Sequence, residues 1–141
     1  MTADCLPLAL IIEDEALLAL AMEDLLAAAS FRVVIAGTRV QAEQMLLPNL
    51  QVAVVDISLA GEIAGQSLIR FLRQSRPRLP VVVVTGYEHD APQADLRGLG
   101  GPTLRLQKPE HLESLISAVR EVISQAQTST TPVLKERRRQ A

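Results

Sequence analysis

The sequence predicts a doubly wound α/β domain, in which helices cover both faces of a parallel sheet. Short, continuous apolar runs alternate with amphipathic helical patterns along the 141 residues. The runs are rich in Val and Ile, which is typical of strands that are buried on both faces. Because parallel strands need crossover connections, the repeated β-α order favours an open sheet with right-handed crossovers.

The first half of the chain contains three strand runs with a helical pattern between each pair. Residues 8–12, 33–36 and 52–55 are the continuous apolar runs. Apolar residues at helical spacing follow the first run and predict a helix. The residues at this spacing are Leu17, Leu18, Ala21, Leu25 and Ala28. A shorter helix before the third run contains Val40, Met45 and Leu46.

The second half repeats the alternation less regularly. A helix is predicted over 67–74, where Pro77 limits it, and strands over 81–84 and 103–106. The segment 88–99 holds Pro92 and Gly98 and few apolar residues, so we expect a fourth helix there to be short or irregular. The last helix has a clear amphipathic stripe, formed by Leu112, Leu115, Ile116, Val119, Val122 and Ile123.

The chain length suits one domain with a substantial core. Residues 7–126 form that domain, residues 1–6 an N-terminal extension, and residues 127–141 a tail that we expect to be disordered because it is polar and basic. The start of the chain lacks the basic stretch of a secretory signal, and no apolar run could span a bilayer. We therefore expect a cytoplasmic protein without membrane insertion.

Composition excludes several functions. Only 2% of the residues are aromatic and the net charge is −2, so we expect no nucleic-acid binding through stacked bases or a basic surface. No helix-turn-helix pattern follows the last helix. The single cysteine excludes a disulfide framework and a cysteine-rich zinc site.

Polar side chains follow the predicted strands at the points where they end. Glu13 and Asp14 follow the first strand, Asp56 the third, Thr85 the fourth and Lys108 the fifth. The carboxyl ends of parallel strands meet at one edge of the sheet, where such folds bind ligands. Three carboxylates and one ammonium leave a local charge of −2. A hard divalent cation with oxygen ligands balances that deficit, and Mg²⁺ fits best.

This set of groups suits phosphoryl transfer, with Asp56 as the nucleophile and Lys108 stabilising the phosphoryl oxygens. Each of these residues also has a purely structural interpretation, which involves no ligand. Acidic residues after a strand also favour a helix N-terminus, and Asp and Thr also cap turns. The two histidines, His89 and His111, stand in polar contexts, and we expect both to face solvent.

Together these residues make the chain resemble the receiver domain of two-component response regulators over about residues 8–125. The stretch Val-Val-Val-Thr-Gly-Tyr at 82–87, followed by Leu-Gln-Lys-Pro at 106–109, also resembles the stand-alone subgroup with a Phe-Ala-Thr-Gly-x-Tyr-like motif. The resemblance implies a flavodoxin-like (βα)5 fold with strand order 2-1-3-4-5.

The resemblance also implies a role for each matching residue. Asp56 would accept a phosphoryl group from a sensor histidine kinase or a phosphotransfer protein. Asp14, Asp56 and the carbonyl of Ser58 would bind Mg²⁺ directly, and Glu13 would hold it through water. Thr85 and Lys108 would bind the phosphoryl oxygens, and the peptide between Lys108 and Pro109 would be cis. The protein would signal to a further, unidentified protein or act as a phosphate relay or sink.

Two positions depart from the family pattern. Receivers carry Tyr or Phe three residues before the strand-five lysine, but this chain has Arg105. The usual coupling between the threonine and an aromatic ring therefore cannot operate, and Tyr87 is a candidate substitute in the switch. The loop after Asp56 also lacks the proline that is common in receivers.

Three functional hypotheses follow. The first is a single-domain response regulator that catalyses only its own phosphorylation and dephosphorylation, and is otherwise not an enzyme. The second is a pseudo-receiver, an interaction module that is not phosphorylated. The third is a phosphatase that works through an aspartyl phosphate, but Ser58 occupies the place of the carboxylate that such enzymes use as a general acid. The sequence leaves open whether the protein forms a homodimer.

Overall fold

The computed structural model describes residues 6–57, 64–86, 96 and 98–128. Five strands are described: β1 (Leu8–Ile12), β2 (Arg32–Ala36), β3 (Leu50–Asp56), β4 (Val81–Thr85) and β5 (Thr103–Gln107). Four helices are described: α1 (Ala16–Ala28), α2 (Arg39–Gln44), α3 (Ala64–Ser75) and α4 (His111–Thr128). Every predicted strand is present, and β3 is three residues longer than its apolar run because it extends at both ends.

The strands form one sheet in the order β2-β1-β3-β4-β5, and all the pairs are parallel. This confirms the predicted architecture and strand order. Both β1 and β4 are buried along their whole length, as the continuous apolar runs predicted.

Side chains alternate between two core layers along each strand. On one face, Leu10, Val55 and Val83 pack in a cluster with the apolar side of α3. On the other face, Ile11, Val54 and Val84 pack in a cluster with α1 and α4. Asp56 follows the alternation of Val54 and therefore lies on the α1/α4 face of the sheet.

The apolar spacing in α1 does not identify the side that faces the core. The buried residues are Ala19, Met22 and Leu26, whereas Leu25 is only partly buried against the core and Leu17 is 76% exposed. The helix is apolar on almost all sides, and its charged residues are confined to Glu23 and Asp24. A helix without a polar face gives no periodic signal for which side packs on the sheet.

The other helices agree better with their patterns. In α3, Leu68, Ile69 and Leu72 are buried, and α4 buries its predicted stripe at Leu115, Val119 and Val122. In α2 the core contact is Ala42, while Val40 is exposed. The expected short helix within 88–99 falls mostly outside the described residues. Helix α4 continues to Thr128, two residues beyond the domain boundary placed at 126.

A buried arginine joins α3 to the segment before β5. Arg73 is 8% exposed and donates hydrogen bonds to the carbonyl oxygens of Leu79 (2.9 Å), Leu99 (2.8 Å) and Pro102 (2.6 Å). It also donates to the Thr103 hydroxyl at 2.9 Å. Burial lowers the pKa of its guanidinium. Sequence reasoning did not single out this residue, because an arginine on a helix is usually exposed.

Candidate functional site

The backbone hydrogen bonds between neighbouring strands continue beyond the strand ends and hold the site residues in place. The Glu13 amide donates to the Ala36 carbonyl at 3.0 Å, and the Lys108 amide donates to the Thr85 carbonyl at 2.8 Å. The candidate residues at or just after the carboxyl ends of β1, β3, β4 and β5 are therefore held at one edge of the sheet, as the sequence predicted.

Three carboxylates meet at this edge. One oxygen from each of Glu13, Asp14 and Asp56 lies within 4.8 Å of the others. Glu13 and Asp56 are almost fully buried, at 2% and 3% exposure, while Asp14 is exposed. Glu13 accepts a hydrogen bond from the Glu15 amide through Oε2, but its buried Oε1 has no hydrogen-bond partner among the described residues. This donor set fits a hard divalent cation such as Mg²⁺, which prefers oxygen ligands.

Burial and the neighbouring carboxylate of Asp56 raise the pKa of Glu13. Burial raises the pKa of this carboxyl from 4.5 to about 7, and the negative charge of Asp56 acts in the same direction. The Glu15 amide and the charge of Lys108 oppose the rise. Carboxylates packed together raise one another's pKa in this way when no cation lies between them.

Lys108 forms the cationic side of the site. Its Nζ lies 3.1 Å from Oδ2 of Asp56, as a hydrogen bond and an ion pair. Burial by itself lowers the pKa of Lys108, but the hydrogen bond and charge of Asp56, with the charges of Glu13 and Glu15, outweigh it and raise the pKa overall. Lys108 is therefore charged at neutral pH and points to Asp56. The peptide between Lys108 and Pro109 is cis, as the resemblance implied.

The predicted switch residues are only partly described. Thr85 is fully buried at the end of β4, opposite Gln107 in the sheet register. Arg105 is half-buried, and its Nη1 donates a hydrogen bond to Oε1 of Gln107 at 3.2 Å. Arg105 and Thr85 extend from the same face of the sheet, since Arg105 is opposite Val83. Ser58 and Tyr87 lie outside the described residues, so their predicted roles stay predictions.

His111 was expected to face solvent, and that expectation is wrong. It is 3% exposed and begins the buried stripe of α4, four residues before Leu115. Within the part of the chain that the structure describes, neither ring nitrogen has a hydrogen-bond partner. Burial lowers the pKa of the imidazole, and the charge of Lys108 lowers it further, while Asp56 and Glu110 raise it. Its spacing with Leu115 and Val119 is the signal in the sequence that could have placed it in the core.

We expect His111→Leu to stabilise the protein by about 1 kcal/mol, because a buried polar group without a partner costs about 1–3 kcal/mol. Urea unfolding near pH 7 measures the change. Glu113→Ala, in the exposed part of the same helical turn, is the control and should change stability by less than about 0.5 kcal/mol. A loss of stability in the Leu variant would show that the imidazole makes favourable contacts.

The arrangement of these groups matches one known family. A model of the response regulator receiver domain matches residues 9–120. The chain belongs to the response regulator receiver domain family. The match includes Glu13, Asp14, Asp56, Thr85 and Lys108, which sequence reasoning had assigned to the site. A search of curated proteins gave no match.

Solved structures support the same assignment. The receiver domain of HemR from Leptospira biflexa, in its non-phosphorylated form, is 30% identical with a TM-score of 0.71 and covers 84% of this chain and 94% of its own. A response regulator receiver protein from Sinorhizobium medicae is 26% identical with a TM-score of 0.74, covering 86% and 98%. A CheY-like receiver domain protein from Methanospirillum hungatei shares the fold at a TM-score of 0.76 and 21% identity, covering 88% and 98%.

The family assignment makes this chain a component of two-component signal transduction. Among the helices of the described residues, none has the length and apolar character needed to cross a membrane.

The raised pKa of Glu13 predicts a pH effect in the receiver domain. Between about pH 4.5 and 7 the folded protein keeps a proton that the unfolded chain releases, so the contribution of Glu13 to stability falls as pH rises through this window. When divalent cations are absent, we expect Glu13 to lower the free energy of unfolding by on the order of 3 kcal/mol across this pH window. Glu13→Gln should match the wild type at pH 4.5 and exceed it in stability at pH 8.

Chemical unfolding in chelator at a series of pH values measures this difference. Glu15→Gln is the matched control, since Glu15 is exposed, and its stability should follow the wild type across the range. If the curves of the Glu13→Gln variant and the wild type stay parallel from pH 4.5 to 8, Glu13 does not hold the extra proton.

Proposed function

We propose that this receiver domain accepts a phosphoryl group on Asp56 from a phosphohistidine of a sensor kinase or phosphotransfer protein. The observation that carries the proposal is the position of Asp56, buried, bonded to Lys108 at 3.1 Å and grouped with two further carboxylates. A carboxylate oxygen of Asp56 attacks phosphorus, a P–O bond forms, and the P–N bond of the donor breaks with its electron pair leaving on the imidazole nitrogen.

The acidic cluster would hold Mg²⁺ through Asp14 and Asp56, with Glu13 acting through water and Ser58 through its carbonyl, as in the family. The buried Oε1 of Glu13, to which no described residue donates a hydrogen bond, supports this assignment, because a buried carboxylate oxygen needs a cation or a donor. The bound ion supplies positive charge that offsets the phosphoryl oxygens. Glu13 must lose its proton to act as a carboxylate here, so Mg²⁺ binding should release protons near pH 7.

Lys108 and Thr85 would bind the phosphoryl oxygens. The Lys108 ammonium is already within hydrogen-bond distance of Asp56, so it can stabilise charge on the transferred group without a large movement. Thr85 is positioned at the end of the neighbouring strand by the β3–β4 and β4–β5 pairings. We infer that movement of Thr85 biases the surrounding β4 and β5 segment, and that a downstream protein reads this change.

The domain would act as a signalling switch or phosphate relay rather than as an enzyme on external substrates. The second candidate function is a pseudo-receiver, which the Arg105 substitution favours because the usual aromatic is missing. The carboxylates, the Thr85 hydroxyl and the Lys108 ammonium at the site favour phosphorylation over a pseudo-receiver. A phosphatase is disfavoured because Ser58 offers no general acid.

Incubation with acetyl phosphate and Mg²⁺, followed by intact mass measurement, tests the proposal. The mass should rise by one phosphoryl group, and a chelator should prevent the rise. No gain with acetyl phosphate or with a phosphorylated histidine phosphotransfer protein would support the pseudo-receiver. Steady phosphate release from varied phosphomonoesters would support the phosphatase instead.

A further inference from the structure

A groove lies at the pole of the sheet opposite the carboxylates. Two cavities, of about 550 Å³ and about 250 Å³, form it. They share Gln51, Ile123 and Gln127 and are therefore adjoining parts of one groove. The groove runs along the last turns of α4 and past the amino ends of β1, β3 and β4, whereas Asp56 is at the carboxyl end of β3.

All the charged residues that line this groove, among those described, are arginines: Arg76, Arg78 and Arg120. Arg76 donates to the carbonyls of Leu47 and Leu50 at 3.2 Å and 2.7 Å, and Arg78 donates to the carbonyl of Ala126 at 3.0 Å. These bonds orient the guanidinium groups but do not neutralise them. None of the three arginines forms an ion pair with a carboxylate of the described residues.

The rest of the groove has a partly apolar floor, which includes Leu6, Pro7, Phe31 and Ile123. A ligand that fits must offer apolar groups to the floor and anionic groups to the arginines. Nucleic acid fits poorly, because Phe31 is only 7% exposed and leaves little ring surface for a base to stack on. A flat bilayer surface fits poorly in a concave groove. A peptide with alternating acidic and aliphatic side chains meets both requirements.

We propose that this groove binds an acidic segment of a partner protein, with aliphatic side chains between its Glu or Asp residues. The carboxylates pair with Arg78 and Arg120, and the aliphatic groups cover the floor beside Ile123. Helix α4 ends at Thr128, one residue after Gln127, which lines both cavities. The site does not depend on phosphorylation of Asp56.

Fluorescence anisotropy with a labelled Glu-Leu repeat peptide and the full chain tests this proposal. We expect binding that weakens at least about tenfold for Arg120→Ser and further for Arg78→Ser/Arg120→Ser. Both arginines are exposed, and Arg120 makes no hydrogen bond to a described residue, so the single variant keeps its fold. Arg70→Ser is the control, because Arg70 is exposed on α3 outside both cavities and its loss should leave the affinity unchanged.

Further arms separate this site from general charge attraction. A Glu-Ser repeat peptide should bind at least about tenfold more weakly, because it cannot cover the apolar floor. Equal binding of both peptides overturns the proposal. The proposal is also overturned if neutralising Lys135 and Arg137 to Arg139 abolishes peptide binding while the Arg78→Ser/Arg120→Ser variant still binds the peptide. The last arm tests single-stranded RNA and phosphatidylglycerol vesicles. If either binds through the groove arginines and the peptide does not, the groove has another ligand and the proposal is overturned.

Discussion

Asp56→Asn is expected to abolish phosphorylation of this receiver domain. The amide that replaces the carboxylate is a poor nucleophile, and it also removes the negative charge that Lys108 contacts at 3.1 Å. The change is nearly isosteric, so the buried end of β3 can keep its packing. Intact mass after treatment with acetyl phosphate and Mg²⁺ measures the effect, and circular dichroism checks that the variant is folded.

Asp14→Asn is the matched control for this loss. Asp14 belongs to the same acidic cluster, but it is exposed and is proposed to bind Mg²⁺ rather than to accept the phosphoryl group. We therefore expect this variant to be phosphorylated more slowly and to recover when the Mg²⁺ concentration is raised. If the Asp56→Asn protein still gains a phosphoryl group while the Asp14→Asn protein does not, the nucleophile has been assigned to the wrong carboxylate.

Arg73→Met is expected to cost about 3 kcal/mol of stability or more. The substitution keeps much of the aliphatic stem but leaves the buried carbonyls of Leu79 and Leu99 without a donor. Each unsatisfied buried group costs about 1–3 kcal/mol, and the contact with Pro102 is lost as well. The segment before β5 is then held less firmly. Urea unfolding gives the loss directly.

Arg70→Met, on the same helix but exposed, is the control for Arg73 and should stay within about 0.5 kcal/mol of the wild type. Gly100→Ala should also destabilise, because Gly100 has φ +88° and a Cβ there would lie 3.2 Å from Cδ of Arg73. Stability of the Arg73→Met protein within about 1 kcal/mol of the wild type would mean that water replaces the guanidinium without cost.

The parts of the fold that the sequence predicted well are those with a strong local pattern. The buried runs of β1 and β4 have the length and residue types of strands, the stripe of α4 has the spacing of a helix, and the structure confirms all three. Residues after buried parallel strands must meet at one edge, so Asp56 and Lys108 could be placed together before any distance was known.

The failures have physical reasons. Helix α1 is apolar on almost all sides, so its core face depends on the neighbouring α4 rather than on its own pattern. Arg73 and His111 are polar residues buried by tertiary packing. The spacing of His111 with Leu115 and Val119 does indicate the core face, but a polar residue type usually indicates exposure and outweighed that spacing. The raised pKa of Glu13 comes first from burial and then from the charge of Asp56, and a local sequence pattern predicts neither the burial nor the distance.

Locating the phosphoryl group tests the central claim most directly. Borohydride reduction of the phosphorylated protein converts an aspartyl phosphate to homoserine, and peptide mass spectrometry then identifies the residue. We expect homoserine at position 56, in a Mg²⁺-dependent amount, and unchanged carboxylates at Glu13 and Asp14. Reduction at position 14 instead, or an unreduced peptide spanning 50–57 from a protein that has gained phosphate, would contradict the assignment of Asp56 as the phosphorylated residue.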